Sequence, residues 1–261
     1  MLFRSPIETE FTRCLNSVSI GQNSLPAFHR LGGVQAVYQK LNSLEPLRGY
    51  IASHYCPCDD HAPDLERERL FFTQQNGRRL DAAREAVEEW KASGLLTVQE
   101  YDTLVASIIF ATSWCSNTSG VFKGFHRGWG GATGTAWYRI KAPVLFRAPV
   151  LWDNAQQNLV YQEDASKLAC RVQADIAYLD PPYNQHQYGS NYHLLNTVAL
   201  WDKPEMPPTF SPGARGVKAA IRPDWRQSTK SAWCRRALAK LELEKLVGRL
   251  NAKWILLSYS T

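Results

Sequence analysis

The feature that most limits the fold is a short apolar segment that two prolines bring to an end. The segment ADIAYLD, residues 174–180, is followed directly by Pro181 and Pro182. Proline fixes its own φ angle and has no N–H to donate, so regular hydrogen bonding stops at this pair. The sequence therefore predicts a short buried strand that ends at Asp180.

The neighbouring segments predict an alternation of strands and helices. LVYQED, residues 159–164, predicts a strand that ends in Glu163 and Asp164, and PVLFRAPVLW before it predicts an extended apolar stretch. Residues 231–250 predict a helix, and KWILLSYS predicts another buried strand. Such alternation indicates an α/β layer with a mostly parallel sheet. Ligands bind beyond the carboxyl ends of such strands, where we expect Asp164 and Asp180.

A mainly helical segment is predicted between about residues 65 and 115. Its first helix has apolar residues at spacings of three and four and a terminal glycine, and its second opens with the capping box TVQE at Thr97–Glu100. The apolar faces comprise Leu80, Ala83, Val87 and Trp90 in the first helix and Tyr101, Leu104, Val105 and Ile108 in the second. RGYIASHY, residues 48–55, predicts a strand or an extended stretch.

Residues 116–135, SNTSGVFKGFHRGWGGATGT, predict a flexible loop, called below the glycine-rich loop. It lacks the third glycine of a G-x-G-x-x-G motif, because Thr133 occupies that position, and no clear strand precedes it. We therefore do not interpret it as a dinucleotide-binding loop. We keep it as a candidate contact surface for nucleic acid.

The distribution of charge favours an anionic partner. The formal net charge is +6, and no Asp or Glu lies between Thr103 and Trp152, a stretch that contains Lys123 and Arg127. A second basic run includes Arg222 and Arg226. Both runs contain aromatic residues, and phosphates require positive charge while bases stack on rings. Each run alone would be interpreted as a solvated face, but the two together indicate nucleic acid.

Other motifs argue against several classes of protein. No apolar run approaches the roughly 18 residues of a transmembrane helix, and no secretory signal is recognisable, so we expect a cytoplasmic protein without membrane contact. HYCPCDDH, residues 54–61, has cysteines too close together for a usual zinc site. We expect a surface turn after a strand there, and no metal.

The DPPY sequence at 180–183 has the groups needed to hold an aromatic amine. Asp180 and the carbonyl of Pro181 are two acceptors held by rigid prolines, which suits an exocyclic NH₂ group with its two donor hydrogens. Tyr183 supplies a ring for stacking. Acceptors placed on both N–H bonds favour attack by the nitrogen on an activated methyl group. A base in a duplex must first be flipped out. The simpler alternative is a Pro-Pro turn that Asp180 caps.

The segment ADIAYLDPPYNQHQYGSNYHLLNTVALWD closely resembles the catalytic segment of N6-adenine-specific DNA methyltransferases of restriction–modification and phage systems. NGRRLDAAREAVEEW, SNTSGVFKGFHRGWGG and WILLSYST also resemble segments of one branch of that family, and the resemblance covers most of the chain. It implies a Rossmann-like α/β methyltransferase fold, S-adenosylmethionine as methyl donor, adenine N6 in double-stranded DNA as acceptor, and base flipping.

The resemblance also implies roles for individual residues and regions. Asp180, Pro181, Pro182 and Tyr183 would hold and stack the adenine, and Asp164 and Glu10 would contact the cofactor. Apart from the resemblance, the basic runs and the polar loop behind DPPY supply the candidate nucleic-acid contacts, which are Lys123, Arg127, Tyr188, Asn191, Arg222 and Arg226. Residues 62–140 would be a helical and glycine-rich insertion for target recognition, between catalytic α/β parts at 1–61 and 141–261.

One departure from the family pattern leaves alternatives open. The F-x-G-x-G loop that holds the methionine end of the cofactor is not found in this sequence, and from this we expect a fold that is truncated at both ends. An inactive remnant that only binds nucleic acid is therefore one alternative. A methyltransferase acting on cytosine N4 or on RNA adenine is the other. The recognition sequence and the oligomeric state do not follow from the sequence.

Overall fold

The computed structural model describes residues 2–3, 25–151, 159–182, 184–206, 219–221 and 229–259. The chain divides into two compact units. The sheet unit comprises Met1–Thr9, Val160–His193 and Arg222–Thr261, and the helical unit comprises Glu10–Leu159 and Leu194–Ile221. The predicted insertion at 62–140 lies within the helical unit, and its boundaries stay a prediction.

The sheet unit is built on parallel strands. In the described residues the strand order is β1 (Leu2–Phe3), β2 (Gln173–Leu179) and β3 (Asn251–Leu257), with β2 in the centre. Both pairings are parallel, as expected for an α/β layer. The unit also contains the short helices α6 (Ala165–Leu168) and α7 (Tyr188–Asn191) and the longer α9 (Arg236–Arg249).

The core of the sheet unit lies between β2 and two helices. Ala177 and Leu179 of β2 pack with residues of α6, with Trp233 and with Leu246 of α9. Leu243 and Leu250 pack against this cluster, and the helix predicted within residues 231–250 is confirmed. The predicted strand at 174–180 is likewise confirmed, although only Ala177 and Leu179 of β2 are fully buried.

The helical unit contains α1 (Val34–Asn42), α2 (Tyr50–His54), α3 (Gln74–Ala92), α4 (Val98–Trp114) and α5 (Trp137–Lys141). Helix α8 (His193–Leu200) begins at the last residue of the sheet unit's middle segment and continues into the helical unit. The predicted helices α3 and α4 are confirmed, together with their buried faces. No helix in the described part of the chain is both long and apolar enough to cross a membrane.

The capping signals that delimit α3 and α4 are also confirmed. Thr97 and Glu100 form both halves of the capping box at the start of α4. Gly94, just beyond the end of α3, has a φ of 68°, the left-handed conformation that favours glycine. Signals contained within a few residues were therefore sufficient to locate these two helices.

Three predictions of local structure were wrong. Residues 50–54 form helix α2 rather than a strand, because the distant Asp81 carboxylate accepts the N–H groups of Gly49, Ile51 and Ala52 and so caps the helix. Residues 159–164 form no strand, and Asp164 instead begins helix α6. The third error concerns burial: strand β3 was predicted at the correct place, but most of its side chains are exposed rather than buried.

In the described sheet β3 pairs only with β2, and its side chains are mostly exposed. Trp254 is 70% exposed and Leu256 is 55% exposed. Lys253 pairs with Asp175 of β2 at 2.7 Å, and both side chains are largely exposed. The apolar composition therefore predicted the strand correctly, but it did not predict how much of the strand is exposed.

Candidate functional site

The backbone leading to the Asp-Pro-Pro sequence is held by the strands on either side of β2. Tyr178 and Leu179 pair with β1 and with β3. Beyond β3, the Ser258 N–H donates to the Leu179 carbonyl at 2.9 Å. The main chain is therefore fixed up to the residue before Asp180, at the carboxyl end of the strand.

The turn after β2 separates an exposed acid from buried prolines. The Asp180 side chain is exposed, whereas Pro181 and Pro182 are buried. Because both prolines are buried and the proline ring restricts φ, the backbone of this turn has little conformational freedom. An acidic side chain is thus presented to solvent from a rigid support. Tyr183, predicted to stack on the base, lies outside the described residues.

The polar loop after the prolines is fastened to the segment before α9. The Gln187 side chain accepts from the Ser231 N–H at 2.8 Å and donates to the Ser231 carbonyl at 3.4 Å. A Cβ atom added at Gly189 would lie 1.9 Å from Thr229 Oγ1, so this position has room only for glycine. These contacts determine the course of the loop toward α7.

Two predicted nucleic-acid contacts lie on α7, in this fastened loop. Tyr188 is partly buried, and its ring lies 5.6 Å from that of Tyr192. Asn191 is buried, and its Oδ1 has no hydrogen-bond partner among the described residues. A buried acceptor without a partner is costly, and a donor from a ligand would satisfy it.

Asp164 has a local structural role. Its Oδ1 accepts from the N–H groups of Ser166 and Lys167 at 3.0 and 3.1 Å and so caps α6. Oδ2 takes part in neither bond. The predicted location at the end of a strand was wrong, and a role in binding a cofactor stays a prediction.

The described residues do not form a complete site for S-adenosylmethionine. A glycine-rich turn at a strand end is the element that would hold its methionine end. In the described part of the sheet, β2 is followed by Asp180-Pro181-Pro182 and β3 by Ser258 and Tyr259. Neither turn contains glycine. Glu10, the other predicted cofactor contact, lies outside the described residues.

The remaining predicted nucleic-acid contacts are in the helical unit or outside the described residues. Lys123 and Arg127 are exposed on the glycine-rich loop. The loop has no helix or strand, as predicted, but it has defined contacts. Trp129 donates from Nε1 to the Asp60 carbonyl at 2.9 Å and stacks on Trp137. Arg222 and Arg226 lie outside the described residues.

Sequence reasoning overlooked Asn117, at the start of this loop. Its side chain is fully buried and bonds to four main-chain groups. A buried asparagine that precedes a run of glycines is a weak signal, since only the folded structure shows which main-chain groups it meets.

The cysteine, histidine and aspartate cluster at 54–61 holds the start of α3. Asp60 accepts from the Gln74 N–H with both carboxylate oxygens, at 2.8 and 3.0 Å. Gln74 donates from Nε2 to the carbonyls of Ala52 and Pro57. Burial raises the pKa of the Asp60 carboxyl, even though hydrogen bonds from the main-chain N–H groups of Gln74 and Gln75 act to lower it. The cluster follows a helix rather than the predicted strand.

The first cysteine of this cluster is enclosed by the fold. Cys56 is buried, and burial raises the pKa of its thiol well above the ordinary range, which keeps it protonated. Among the residues that the structure describes, no group of three or more His, Cys, Asp or Glu is arranged to hold a metal ion.

Comparison with known proteins gives a consistent family match. The family model described as D12 class N6 adenine-specific DNA methyltransferase matches residues 38–211, about two thirds of the chain. Type II methyltransferase M.FokI of Planomicrobium okeanokoites is 31% identical over 251 residues, which cover 96% of this chain and 36% of that protein. Modification methylase StsI of Streptococcus sanguinis is 31% identical over 265 residues, which cover 100% of this chain and 36% of that protein.

A shorter relative matches at similar identity. Type II methyltransferase M.NlaIII of Neisseria lactamica is 32% identical over 224 residues, which cover 85% of this chain and 59% of that protein. The chain thus spans between about a third and three fifths of the length of these relatives. No solved structure matches the chain.

Proposed function

The chain belongs to the D12 class N6 adenine-specific DNA methyltransferase family, and from this membership we propose that it transfers a methyl group to adenine N6 in double-stranded DNA. The relatives' names, type II methyltransferase and modification methylase, support a role in a restriction–modification system. The proposal includes a Rossmann-like arrangement of the catalytic α/β part, with the insertion at 62–140 recognising the target sequence.

One observation carries the proposal: at the carboxyl end of β2, Asp180 is exposed and the two prolines that follow it, Pro181 and Pro182, are buried. In parallel α/β sheets this end is where ligands bind. An aspartate that merely ended a strand would not require two buried prolines after it. The rigid turn instead suits the accurate placement of two hydrogen-bond acceptors.

These acceptors would act on the amino group of a flipped adenine. The Asp180 carboxylate and the Pro181 carbonyl would each accept one N6 hydrogen, which increases electron density on a nitrogen whose lone pair is otherwise delocalised into the ring. Positive charge that develops on N6 would lie beside the carboxylate. Tyr183 would stack on the base, and the Asn191 Oδ1 acceptor would take a donor of the nucleic acid.

The methyl donor in this proposal is S-adenosylmethionine, which supplies a methyl group on a positively charged sulfur. Asp164 and Glu10 are the proposed contacts on this side. The described residues do not include the glycine-rich turn that would hold its methionine end. The proposed action of this chain is therefore limited to holding, orienting and polarising the base.

Methyl transfer to duplex DNA tests the proposal. We expect radiolabelled methyl groups to pass from S-adenosylmethionine to DNA in the presence of the protein. Asp180→Ala should lower the rate by a factor of about 100 to 1000, as when one electrostatic contact to a transition state is removed. Asp175→Ala is the matched control, since Asp175 is an exposed aspartate of β2 that pairs with Lys253, and it should keep the activity.

Each contrary result would point to a different conclusion. Activity that survives Asp180→Ala would refute the assignment of the site. Nucleoside analysis of the product should find N6-methyladenine, and N4-methylcytosine would show the wrong acceptor. Salt-dependent DNA binding without any methyl transfer would show that the chain only binds nucleic acid.

A further inference from the structure

The glycine-rich loop is organised around the amide of a single buried side chain. Asn117 Nδ2 donates to the carbonyl oxygens of Leu70, His126 and Gly128, at 3.0, 3.3 and 3.1 Å. Asn117 Oδ1 accepts from the Gly130 N–H at 3.0 Å. The loop therefore folds back onto its own first residues, although it contains no regular secondary structure.

Main-chain bonds of Asn117 extend the same arrangement. Its N–H donates to the Phe71 carbonyl at 2.8 Å, and its carbonyl accepts from the His126 N–H at 3.0 Å. Rings of the loop pack on the same place, since Phe122 stacks on Phe71 at 6.3 Å and Phe125 meets it edge-on at 4.9 Å. Polar and apolar contacts thus fix the base of the loop on the residues before α3.

The exposed residues between these anchors are cationic. Lys123 lies between the Phe122 and Phe125 anchors, and Arg127 lies between the two carbonyl groups that Asn117 holds, those of His126 and Gly128. No acidic residue occurs between Thr103 and Trp152 in the sequence, so this stretch is positively charged. The loop presents positive charge from a backbone whose position is determined by hydrogen bonds.

We infer that Asn117 is a positioning residue for DNA binding: its side chain holds the glycine-rich loop in the form in which Lys123 and Arg127 contact DNA phosphates. The inference rests on the proposed function, because it takes DNA as the partner. Preformed placement of both cations reduces the conformational entropy lost on binding. A mobile loop of glycines would lose that entropy at each encounter.

Two other asparagines in the helical unit provide matched controls. Asn76 Nδ2 donates to the carbonyls of Ile140 and Ala142, and its Oδ1 accepts from the Val144 N–H at 2.8 Å. Asn42 makes the same kind of contact with Phe146, accepting from its N–H and donating to its carbonyl. Both hold main chain that lies beyond the glycine-rich loop. Asn76 is buried and Asn42 is partly buried, and replacing either removes bonds to the main chain without touching the loop that carries Lys123 and Arg127.

The experiment measures affinity for a duplex oligonucleotide as a function of salt, without a methyl donor. The proteins are wild type, Asn117→Ala, Asn76→Ala, the double variant Lys123→Gln/Arg127→Gln, and the triple variant that combines it with Asn117→Ala. Loss of two phosphate contacts should lower affinity about tenfold and make the salt dependence shallower by about two counterions. In the wild-type background, Asn117→Ala should reproduce most of this loss of affinity, whereas Asn76→Ala should bind as wild type does. In the background of the Lys123→Gln/Arg127→Gln double variant, adding Asn117→Ala should change the affinity by less than about twofold.

Trp129→Phe is a second variant in case Asn117→Ala does not fold. It removes the bond to the Asp60 carbonyl and reduces the stacking on Trp137, while it leaves the Asn117 bonds in place, and a smaller loss of affinity in the same direction is expected. Wild-type affinity for Asn117→Ala, or an equal further loss in the triple variant, would overturn the inference. A wild-type protein that binds no DNA would instead refute the proposed function, whereas DNA binding without methyl transfer would leave the inference standing.

Discussion

The side-chain amide of Gln187 pairs with both main-chain polar atoms of Ser231, as a neighbouring strand would. This contact joins the loop that follows the Asp180-Pro181-Pro182 turn to the segment that precedes α9. Residues 44 positions apart are thereby held together by one side chain.

Replacing Gln187 by alanine should loosen the loop beside the proposed base-binding site. Two hydrogen bonds are lost, at about 0.5–1.5 kcal/mol each, and Ser231 retains partly buried groups without these partners. We expect the melting temperature to fall by a few degrees and kcat/KM for methyl transfer to fall about tenfold. Gln187→Glu keeps the acceptor for the Ser231 N–H, so its defect should be smaller, and unchanged kinetics in Gln187→Ala would contradict a positioning role.

Replacing Gly189 by alanine should force the loop away from Thr229. The new methyl group would lie 1.9 Å from Thr229 Oγ1 and 2.7 Å from its Cβ, so one of the two segments must move. Overpacking of this kind costs about 1–3 kcal/mol. The free energy of unfolding, measured in denaturant, should fall by that amount.

Thr229→Gly provides the control for this clash. It creates the missing space, so the double variant Gly189→Ala/Thr229→Gly should be more stable than the sum of the two single changes predicts. Simple additivity of the two losses would show that the clash is relieved in some other way.

Asp81 should make the stability of the helical unit depend on pH. Burial raises the pKa of this carboxyl from 3.8 to about 6, although it accepts N–H groups at the start of α2. The folded protein therefore binds a proton at a higher pH than the unfolded chain does. The stability that the protonated Asp81 carboxyl contributes is complete below about pH 4 and is lost as the pH rises through about 6. The free energy of unfolding changes by at most about 1.4 kcal/mol per pH unit in this range.

The difference between wild type and Asp81→Asn isolates this contribution, because asparagine does not titrate. We expect the unfolding free energy of wild type, relative to that of the variant, to increase as the pH is lowered from 7 to 4.5. A difference that is constant over this range would show that the carboxyl titrates at its ordinary pKa. Asp81→Ala should be destabilised at every pH, since three N–H groups lose their acceptor.

Arg84 should be among the residues whose loss destabilises the helical unit most. Its side chain is fully buried, donates to the Val198 carbonyl at 2.7 Å and pairs with Glu88 at 2.6 Å. Burial acts to raise the pKa of Glu88, but the Tyr101 hydrogen bond and the Arg84 charge lower it overall. Removing one partner of a fully buried pair costs about 3–5 kcal/mol, but the Glu88 side chain is 32% exposed, so Arg84→Met should lower the unfolding free energy by a smaller amount, roughly 2–3 kcal/mol.

Glu85 offers the matched control on the same helix. It pairs with Lys203, and both side chains are more than a third exposed. Exposed pairs contribute about 0–1 kcal/mol, so Glu85→Gln should change stability by less than that. Equal losses in Arg84→Met and Glu85→Gln would show that burial of the guanidinium contributes nothing to stability.

The elements that sequence predicted correctly are those whose signals are local. The capping box of Thr97 and Glu100 lies within four residues, and the apolar spacing of α3 repeats along one helix. The strand before Asp180 was recognised because two prolines end it. In each case the interacting groups are close in the sequence, so no knowledge of the fold is needed.

The elements that sequence missed depend on contacts between distant residues. Helix α2 is capped by Asp81, thirty positions beyond Ile51. The burial of β3 was predicted wrongly because apolar residues do not specify what covers them. Asn117 was overlooked because its partners, from Leu70 to Gly130, meet only in the folded chain. The predicted roles of Asp180, Asp164 and the cationic residues stay predictions until they are tested.

The asparagine contacts in the helical unit have a consequence for how such a chain can change during evolution. The side chains of Asn42, Asn76 and Asn117 bond to main-chain carbonyl and N–H groups of the segments they hold, which every residue except proline provides in full. The backbone there keeps its course whatever side chains replace those at the surface. If this region recognises DNA as proposed, its surface side chains can be exchanged one at a time while these backbone contacts are kept.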